Sequence, residues 1–223
     1  MKNFIKHRQI LIIAGCVVLI AAAGIAVWWF FPPSTSPERL TDQYSGQVET
    51  YRSATDKDGD GMDDQTDILE GAVAYINTRP KYQSKYYDAG YPDDGYGVCT
   101  DVVAFAMKGA GYDLMELVQE DIQVSREDYD MEEPDENIDF RRVKNLQVFF
   151  SHTAVSLTTD VHKVEEWQGG DIVVFKKHIG IVSDRRNERG VPYIIHHNGT
   201  RQRRYEEDIL EKRGDIVGHY RMP

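Results

Sequence analysis

Gly170-Asp171-Ile172-Val173-Val174-Phe175 and His178-Ile179-Gly180-Ile181-Val182 are two apolar segments separated by only two residues. Short apolar runs joined this closely are typical of neighbouring antiparallel strands. Residues 193–197 form a third run, Tyr-Ile-Ile-His-His, and residues 216–220 form a fourth, Ile-Val-Gly-His-Tyr. Together they predict a central antiparallel sheet in the C-terminal half of the chain.

A helix is predicted upstream of this sheet. The sequence Gly95-Tyr96-Gly97-Val98 leads into Cys99, and the apolar residues that follow Cys99 recur at helical spacing until Gly111. The spacing predicts a helix from Cys99 to about Ala110. We therefore expect an α+β fold in which the sheet packs against a helix that begins at Cys99.

Cys99 is the candidate nucleophile. It is the only cysteine outside the N-terminal apolar segment. A thiol in the first turn of a helix meets free backbone N–H groups and the positive end of the helix dipole, and both stabilise a thiolate. The pattern is typical of a cysteine hydrolase, in which a thiol is paired with an imidazole base.

Two predicted strands carry histidines at their ends. His178 begins its strand after a tight turn, so its ring is the candidate general base. His196 ends the next strand and is the candidate third residue that orients His178. Because side chains alternate along a strand, His196 and His197 lie on opposite faces, and periodicity alone does not choose between them.

Residues 55–67 have the spacing of a calcium-binding loop. Counted from Asp56, oxygen-bearing side chains fall at positions 1, 3, 5, 9 and 12, with glycine at position 6 and a backbone carbonyl expected at position 7. The predicted ligands are Asp56, Asp58, Asp60, Met62, Asp64 and Asp67. The alternative is a solvated acidic turn. We expect a structural Ca²⁺ ion rather than a switch.

The N-terminus contains an apolar segment, Ile10–Phe31, of 22 uncharged residues. This length predicts a single transmembrane helix, and the cations at positions 2, 6 and 8 predict a cytoplasmic N-terminus over residues 1–9. The rest would lie on the extracytoplasmic side, with residues 32–54 as a linker. A cleaved signal peptide, or a lipoprotein processed at Cys16, are the alternatives, and both also export the domain.

The charge of the chain restricts its partners. The sequence carries 26 Lys and Arg against 37 Asp and Glu, a formal net charge of −11. Such an acidic protein is not expected to bind nucleic acid. The predicted thiol chemistry needs no organic cofactor, so calcium and the membrane remain the expected non-substrate partners.

Several motifs resemble known families. The strand pair 170–175 and 178–182 resembles that of NlpC-type papain-like cell-wall peptidases. Four further segments are similar, in the same order, to the bacterial family known as domain of unknown function 1287: residues 97–103, 137–143, 194–196 and 218–221. That similarity covers roughly residues 68–222, and we treat residues 68–223 as one domain.

The resemblance implies a papain-like NlpC-type fold and hydrolysis of peptide or amide bonds, with peptidoglycan or another peptide as substrate. It implies Cys99 as nucleophile, His178 as base and His196 as the orienting residue. The pair His196-His197 departs from the single histidine expected there, so the third residue stays open. An acyl or peptidyl transferase and a non-catalytic, calcium-stabilised envelope-binding module are the alternative functions.

Overall fold

The structure is a computed structural model that describes Ile20 and residues 34–223. The chain divides into two compact units, residues 1–34 and residues 35–223. The predicted transmembrane span, residues 10–31, lies outside the described residues except for Ile20. Among the residues that are described, no helix is both long and apolar enough to cross a bilayer.

The larger unit combines helices with short strands. The helices are α1 (Asp64–Asn77), α2 (Cys99–Gly109), α3 (Leu114–Val124), α4 (Glu136–Asp139) and α5 (Val143–Thr153), with 3₁₀ turns at Arg126–Asp128 and Leu210–Lys212. The strands are β1 (Lys81–Tyr82), β2 (Tyr96–Gly97), β3 (Val155–Ser156), β4 (Ile172–Phe175), β5 (His178–Arg186), β6 (Pro192–Ile195), β7 (Glu206–Glu207) and β8 (Ile216–Arg221).

Six strands form one antiparallel sheet in the order β3-β8-β4-β5-β6-β7. Strands β4 and β5 form a tight hairpin in which Phe175 pairs with His178. The prediction of an α+β domain with an antiparallel sheet is therefore confirmed. The short strands β1 and β2 pair in parallel and lead the chain into Cys99.

The sheet is covered on both faces. Ile179, Ile181 and Ile195 belong to the larger apolar core, which also contains the buried residues of α1 and α2. Val182 and Ile194 belong to a second core around Trp167 and Leu210. Because the side chains of a strand alternate, the face toward α2 is set by these isoleucines.

Helices α1 and α2 approach each other closely. A Cβ atom added at Gly71 of α1 would lie 2.8 Å from the carbonyl oxygen of Ala106 in α2, too close for any side chain. Glycine is therefore required at position 71, and it allows α1 to pack directly on the helix that carries Cys99.

The segment predicted as a linker is instead packed within the larger unit from residue 35 onward. Arg39 donates to Glu206 at 2.7 Å, and the Tyr193 hydroxyl donates to the carbonyl of Thr41 at 3.1 Å. Thr35 is buried. These contacts are ion pairs and hydrogen bonds, which a hydropathy pattern does not reveal. The polar composition therefore predicted a linker where the chain is packed.

A buried ion pair holds the beginning of α2. The Asp101 carboxylate accepts two hydrogen bonds from the Arg141 guanidinium, at 2.6 and 3.0 Å, and a third from the Val98 backbone N–H at 2.7 Å. Both side chains are almost inaccessible to solvent. Asp101 thus caps the helix at Cys99, and Arg141 neutralises the cap. Arg142, in contrast, is half exposed and lies 3.5 Å from Asp139.

We predict that Arg141→Met destabilises the domain by about 3–5 kcal/mol, because it leaves the buried Asp101 carboxylate without its counter-ion. The matched control is Arg142→Met, which removes a half-exposed cation from the neighbouring position and should cost at most about 1 kcal/mol. Equilibrium urea unfolding measures both. Equal losses for the two variants would contradict the role given to the buried pair.

Candidate active site

Cys99 is the first residue of α2, directly after the β1–β2 ladder. The approach depends on Gly97, since a Cβ atom added there would lie 2.1 Å from the Tyr75 hydroxyl. Close packing against Tyr75 therefore explains the glycine at position 97. It lets the chain pass beneath Tyr75 and present the thiol at the start of the helix.

The thiol is partly exposed but lies in a largely apolar environment. Burial raises the pKa of Cys99 to about 11, and this outweighs the backbone N–H groups of Ile179 and Thr100, which act to lower it. The expectation of a resting thiolate is thus not met, because desolvation exceeds the stabilisation supplied by the start of the helix. In the free protein Cys99 is a neutral thiol at pH 7.

His178 and His196 are brought together. Nε2 of His178 lies 2.8 Å from Nδ1 of His196, and both rings are buried. Nε2 of His196 in turn lies 3.0 Å from a carboxylate oxygen of Glu207. The two rings are hydrogen-bonded and the carboxylate lies at ion-pair distance from the second ring; we call these three side chains the His–His–Glu relay.

The nearby carboxylate favours one pair of tautomers for the two rings. Its negative charge favours hydrogen on Nε2 of His196, 3.0 Å away, and Nδ1 of His196 then accepts. The acceptor at Nδ1 requires His178 to donate from Nε2, which leaves the lone pair of His178 on Nδ1. Among the described residues, no hydrogen bond occupies that nitrogen.

Gln202 supports this assignment. Its side-chain N–H groups reach the His196 carbonyl at 3.1 Å and the Glu207 carboxylate at 3.4 Å, so both hydrogens have acceptors. The Gln202 nitrogen also lies 3.3 Å from Nε2 of His196, but that contact is longer than the one to the carboxylate. The charged acceptor is the stronger one, which favours donation from His196 to Glu207.

Cys99 lies beside the first residues of β5. The backbone N–H of Ile179, the residue immediately after His178, acts on the sulfur and lowers the pKa of the thiol. Within the described part of the chain, no hydrogen bond joins the sulfur to a histidine ring. The thiol thus lies beside the backbone at the start of β5, at the residue that follows the base in sequence.

His178 is neutral in this environment. Burial, followed by the charges of His196 and Arg213, lowers the pKa of His178 to about 3. A neutral imidazole can accept a proton at neutral pH, which a general base requires. The same burial makes the resulting imidazolium costly unless a substrate changes the surroundings.

His197 does not join the relay. It is 1 % exposed, both ring nitrogens lack hydrogen-bond partners, and its ring makes edge contacts with Tyr82 and Tyr205. Burial, followed by the charge of His196, lowers the pKa of His197 to about 4. Of the two histidines between which periodicity did not choose, His196 contacts His178 and His197 packs against tyrosines.

Sequence reasoning missed Glu207 and Gln202. Residues 201–213 carry mixed charges, and within them Glu206–Glu207 is strand β7, paired with β6. A two-residue polar strand has no hydrophobic period to detect. The sequence feature that could have indicated this strand is the acidic pair itself, which follows a tyrosine.

In the predicted calcium loop, only some of the predicted ligands lie close together. Asp56, Asp58 and Asp60 each present a carboxylate oxygen within 4.8 Å of the others. Asp64 is buried and accepts hydrogen bonds from the Lys57 N–H and the Tyr112 hydroxyl. Met62 donates its backbone N–H to Asp60 at 2.8 Å.

Asp67, the last predicted ligand, is 7 % exposed, and one of its carboxylate oxygens has no hydrogen-bond partner. Burial, and then the charges of Asp60, Asp58, Asp64 and Asp56, raise the pKa of Asp67 to about 6. Its carboxylate is therefore within electrostatic reach of the other loop aspartates.

Comparisons with known proteins identify relatives but no characterised activity. The family described as "Domain of unknown function (DUF1287)" matches residues 69–222. The "Uncharacterized protein YijF" of Escherichia coli (strain K12) is 36 % identical over 167 residues, which cover 69 % of this chain and 80 % of that protein. No solved structure matches.

We predict that Cys99 reacts slowly with iodoacetamide at pH 7. A pKa near 11, against an ordinary value of 9.0, lowers the thiolate fraction about 100-fold. The measurement is the alkylation rate from pH 6 to 11 in a Cys16→Ser variant, so that only Cys99 is labelled. The same variant unfolded in urea is the control.

The folded rate should keep rising to the top of that pH range, while the unfolded rate levels off earlier. A folded-state rate that is already constant below pH 7 would show a resting thiolate and contradict this prediction.

Proposed function

The chain belongs to the family described as domain of unknown function 1287, and we propose that it is a cysteine hydrolase of peptide or amide bonds. Cys99 is the nucleophile, His178 the general base, and His196 with Glu207 the groups that orient the base. The further proposal is that the domain has the papain-like NlpC-type arrangement, in which these roles are taken by the same kinds of residues.

The observation that carries this proposal is the direction of the His–His–Glu relay. The relay leaves the lone pair of His178 on Nδ1, and the backbone of the next residue, Ile179, lies beside the Cys99 sulfur. The two imidazoles are buried and the partly exposed carboxylate lies beside the second ring, an arrangement that prepares one nitrogen to take a proton.

The proposed reaction begins when Nδ1 of His178 takes the proton of the Cys99 thiol. The sulfur attacks the carbonyl carbon of the substrate and forms a tetrahedral intermediate, whose oxyanion is stabilised by free N–H groups at the start of α2. The imidazolium returns the proton to the leaving amine, and a thioester remains. Water, deprotonated by His178, then releases the acid and restores the thiol.

Because the free thiol and the free imidazole are both neutral, proton transfer must be coupled to substrate binding. A bound substrate places its polar carbonyl beside the N–H groups of α2 and alters the solvation of the sulfur. This arrangement keeps the nucleophile unreactive toward other electrophiles until a substrate is bound.

The substrate we propose is a stem peptide of peptidoglycan. The support is the apolar segment at residues 10–31, which would place the domain outside the cytoplasm, together with the resemblance to cell-wall peptidases. The proposed location is the cell membrane, with the domain on its extracytoplasmic side.

A second candidate is a binding module that has kept the fold without turnover. The raised pKa of Cys99 favours it, because an unreactive thiol is what a non-catalytic protein would retain. The two proposals differ in the products they give: hydrolysis releases free amine and acid, and binding releases neither.

We predict that purified muropeptides are cleaved by the protein, and that Cys99→Ala and His178→Gln each lower kcat at least about 100-fold. Glu207→Gln keeps a side chain of the same size but loses the charge that fixes the His196 tautomer. It should lower kcat about 10-fold, leave KM unchanged, and move the acidic limb of the pH–rate profile. Product masses and initial rates are the measurements.

The matched control is His162→Gln, which removes an exposed histidine outside the His–His–Glu relay and should leave the rate unchanged. Full activity in Cys99→Ala would contradict the hydrolase assignment. Products that carry an added amine acceptor would instead identify a transferase.

A further inference from the structure

The loop of residues 56–61 lies outside the segment that the family shares and brings three acidic side chains together. Asp56, Asp58 and Asp60 are exposed, and their oxygens lie within 4.8 Å of one another. Acidic groups on a surface are common, so this convergence alone does not identify a site.

Asp67 supplies an independent observation. It lies in the first turn of α1, is more than nine-tenths buried, and has one oxygen without any hydrogen-bond partner. An unpartnered buried carboxylate oxygen is costly, because it has lost water without gaining a donor. Asp67 is position 12 of the register, in the first turn of the helix that follows the loop, and the unpartnered oxygen leaves it free to take a ligand.

The loop is also held in place without a cation. Asp64, at position 9 of the register, uses both oxygens on protein donors, one of them the hydroxyl of Tyr112. Lys57 lies over the Tyr112 ring at 4.9 Å. The loop is thus attached to the connection between α2 and α3, and Asp64 is committed to that attachment.

We propose that the side chains of Asp56, Asp58, Asp60 and Asp67 bind one Ca²⁺ ion, with the Met62 carbonyl as a further oxygen ligand. Oxygen ligands alone, four of them carboxylates, suit a hard divalent cation. Asp64 stays outside the direct ligand set and anchors the loop to Tyr112. This inference does not depend on the proposed catalytic activity.

Calcium would act on the helix that carries Cys99. Asp67 is in α1, and α1 packs on α2 at the close approach of Gly71 to Ala106. A cation bound between Asp67 and the loop aspartates removes the repulsion between these carboxylates at the N-terminal turn of α1. The bound ion therefore stabilises the pair of helices on which the nucleophile is placed.

The test is a thermal unfolding titration of the full-length protein with CaCl₂, with MgCl₂ at equal concentration as the ionic control. If the dissociation constant is about 0.1 mM, as in extracellular calcium modules, about 10 mM Ca²⁺ should raise Tm by about 5–10 °C. Isothermal titration should give one site per chain.

Two variants separate this site from general charge screening. Asp67→Asn should raise Tm in the absence of calcium, because it removes a buried charge among like charges, and should abolish the calcium response. Asp58→Asn, at an exposed position, should weaken the response without affecting folding. Glu133→Gln, an exposed acidic residue elsewhere, is the matched control and should respond as the unmodified protein does.

The proposal is overturned if calcium leaves Tm unchanged, if magnesium gives the same rise, or if Asp67→Asn retains the full response. Since none of these measurements uses catalytic activity, an inactive protein that still binds calcium would count against the hydrolase and not against this site.

Discussion

The chemistry of the site depends on the contact between His196 and the Glu207 carboxylate. The negative charge of the carboxylate favours hydrogen on the nearer nitrogen of His196, and this in turn leaves the lone pair of His178 on Nδ1. Strand pairing supplies the geometry, since β5, β6 and β7 are consecutive in the sheet and bring the three side chains together. A short polar strand at the edge of the sheet thus sets the state of the base.

Burial and activation oppose each other at Cys99. The start of α2 offers N–H groups to the sulfur, but the apolar surroundings outweigh them and keep the thiol protonated. The same burial keeps His178 neutral, so the resting pair carries no charge. A site of this kind depends on the substrate to complete the polar environment of the sulfur. It also protects a single thiol that is expected to face an oxidising compartment.

Some of this architecture could be predicted from the sequence. The apolar runs that became β4, β5, β6 and β8, and the helix beginning at Cys99, follow hydrophobic periodicity and were predicted correctly. Residues 35–54 and strand β7 were not, because they are held by ion pairs and backbone hydrogen bonds between polar residues distant in the chain. Alternation separated His196 from His197, but only the hydrogen bond between the rings shows which one contacts His178.

The central claim is the tautomer of His178, and long-range ¹H–¹⁵N correlation spectroscopy of the histidine rings at neutral pH tests it most directly. The account predicts that Nε2 of His178 carries the hydrogen and that Nδ1 has the shift of an unprotonated nitrogen, with His196 protonated at Nε2. In Glu207→Gln the resonances should indicate a mixture of tautomers. A hydrogen fixed on Nδ1 of His178 in the unmodified protein would contradict the account, because that nitrogen could not then accept the proton of the Cys99 thiol.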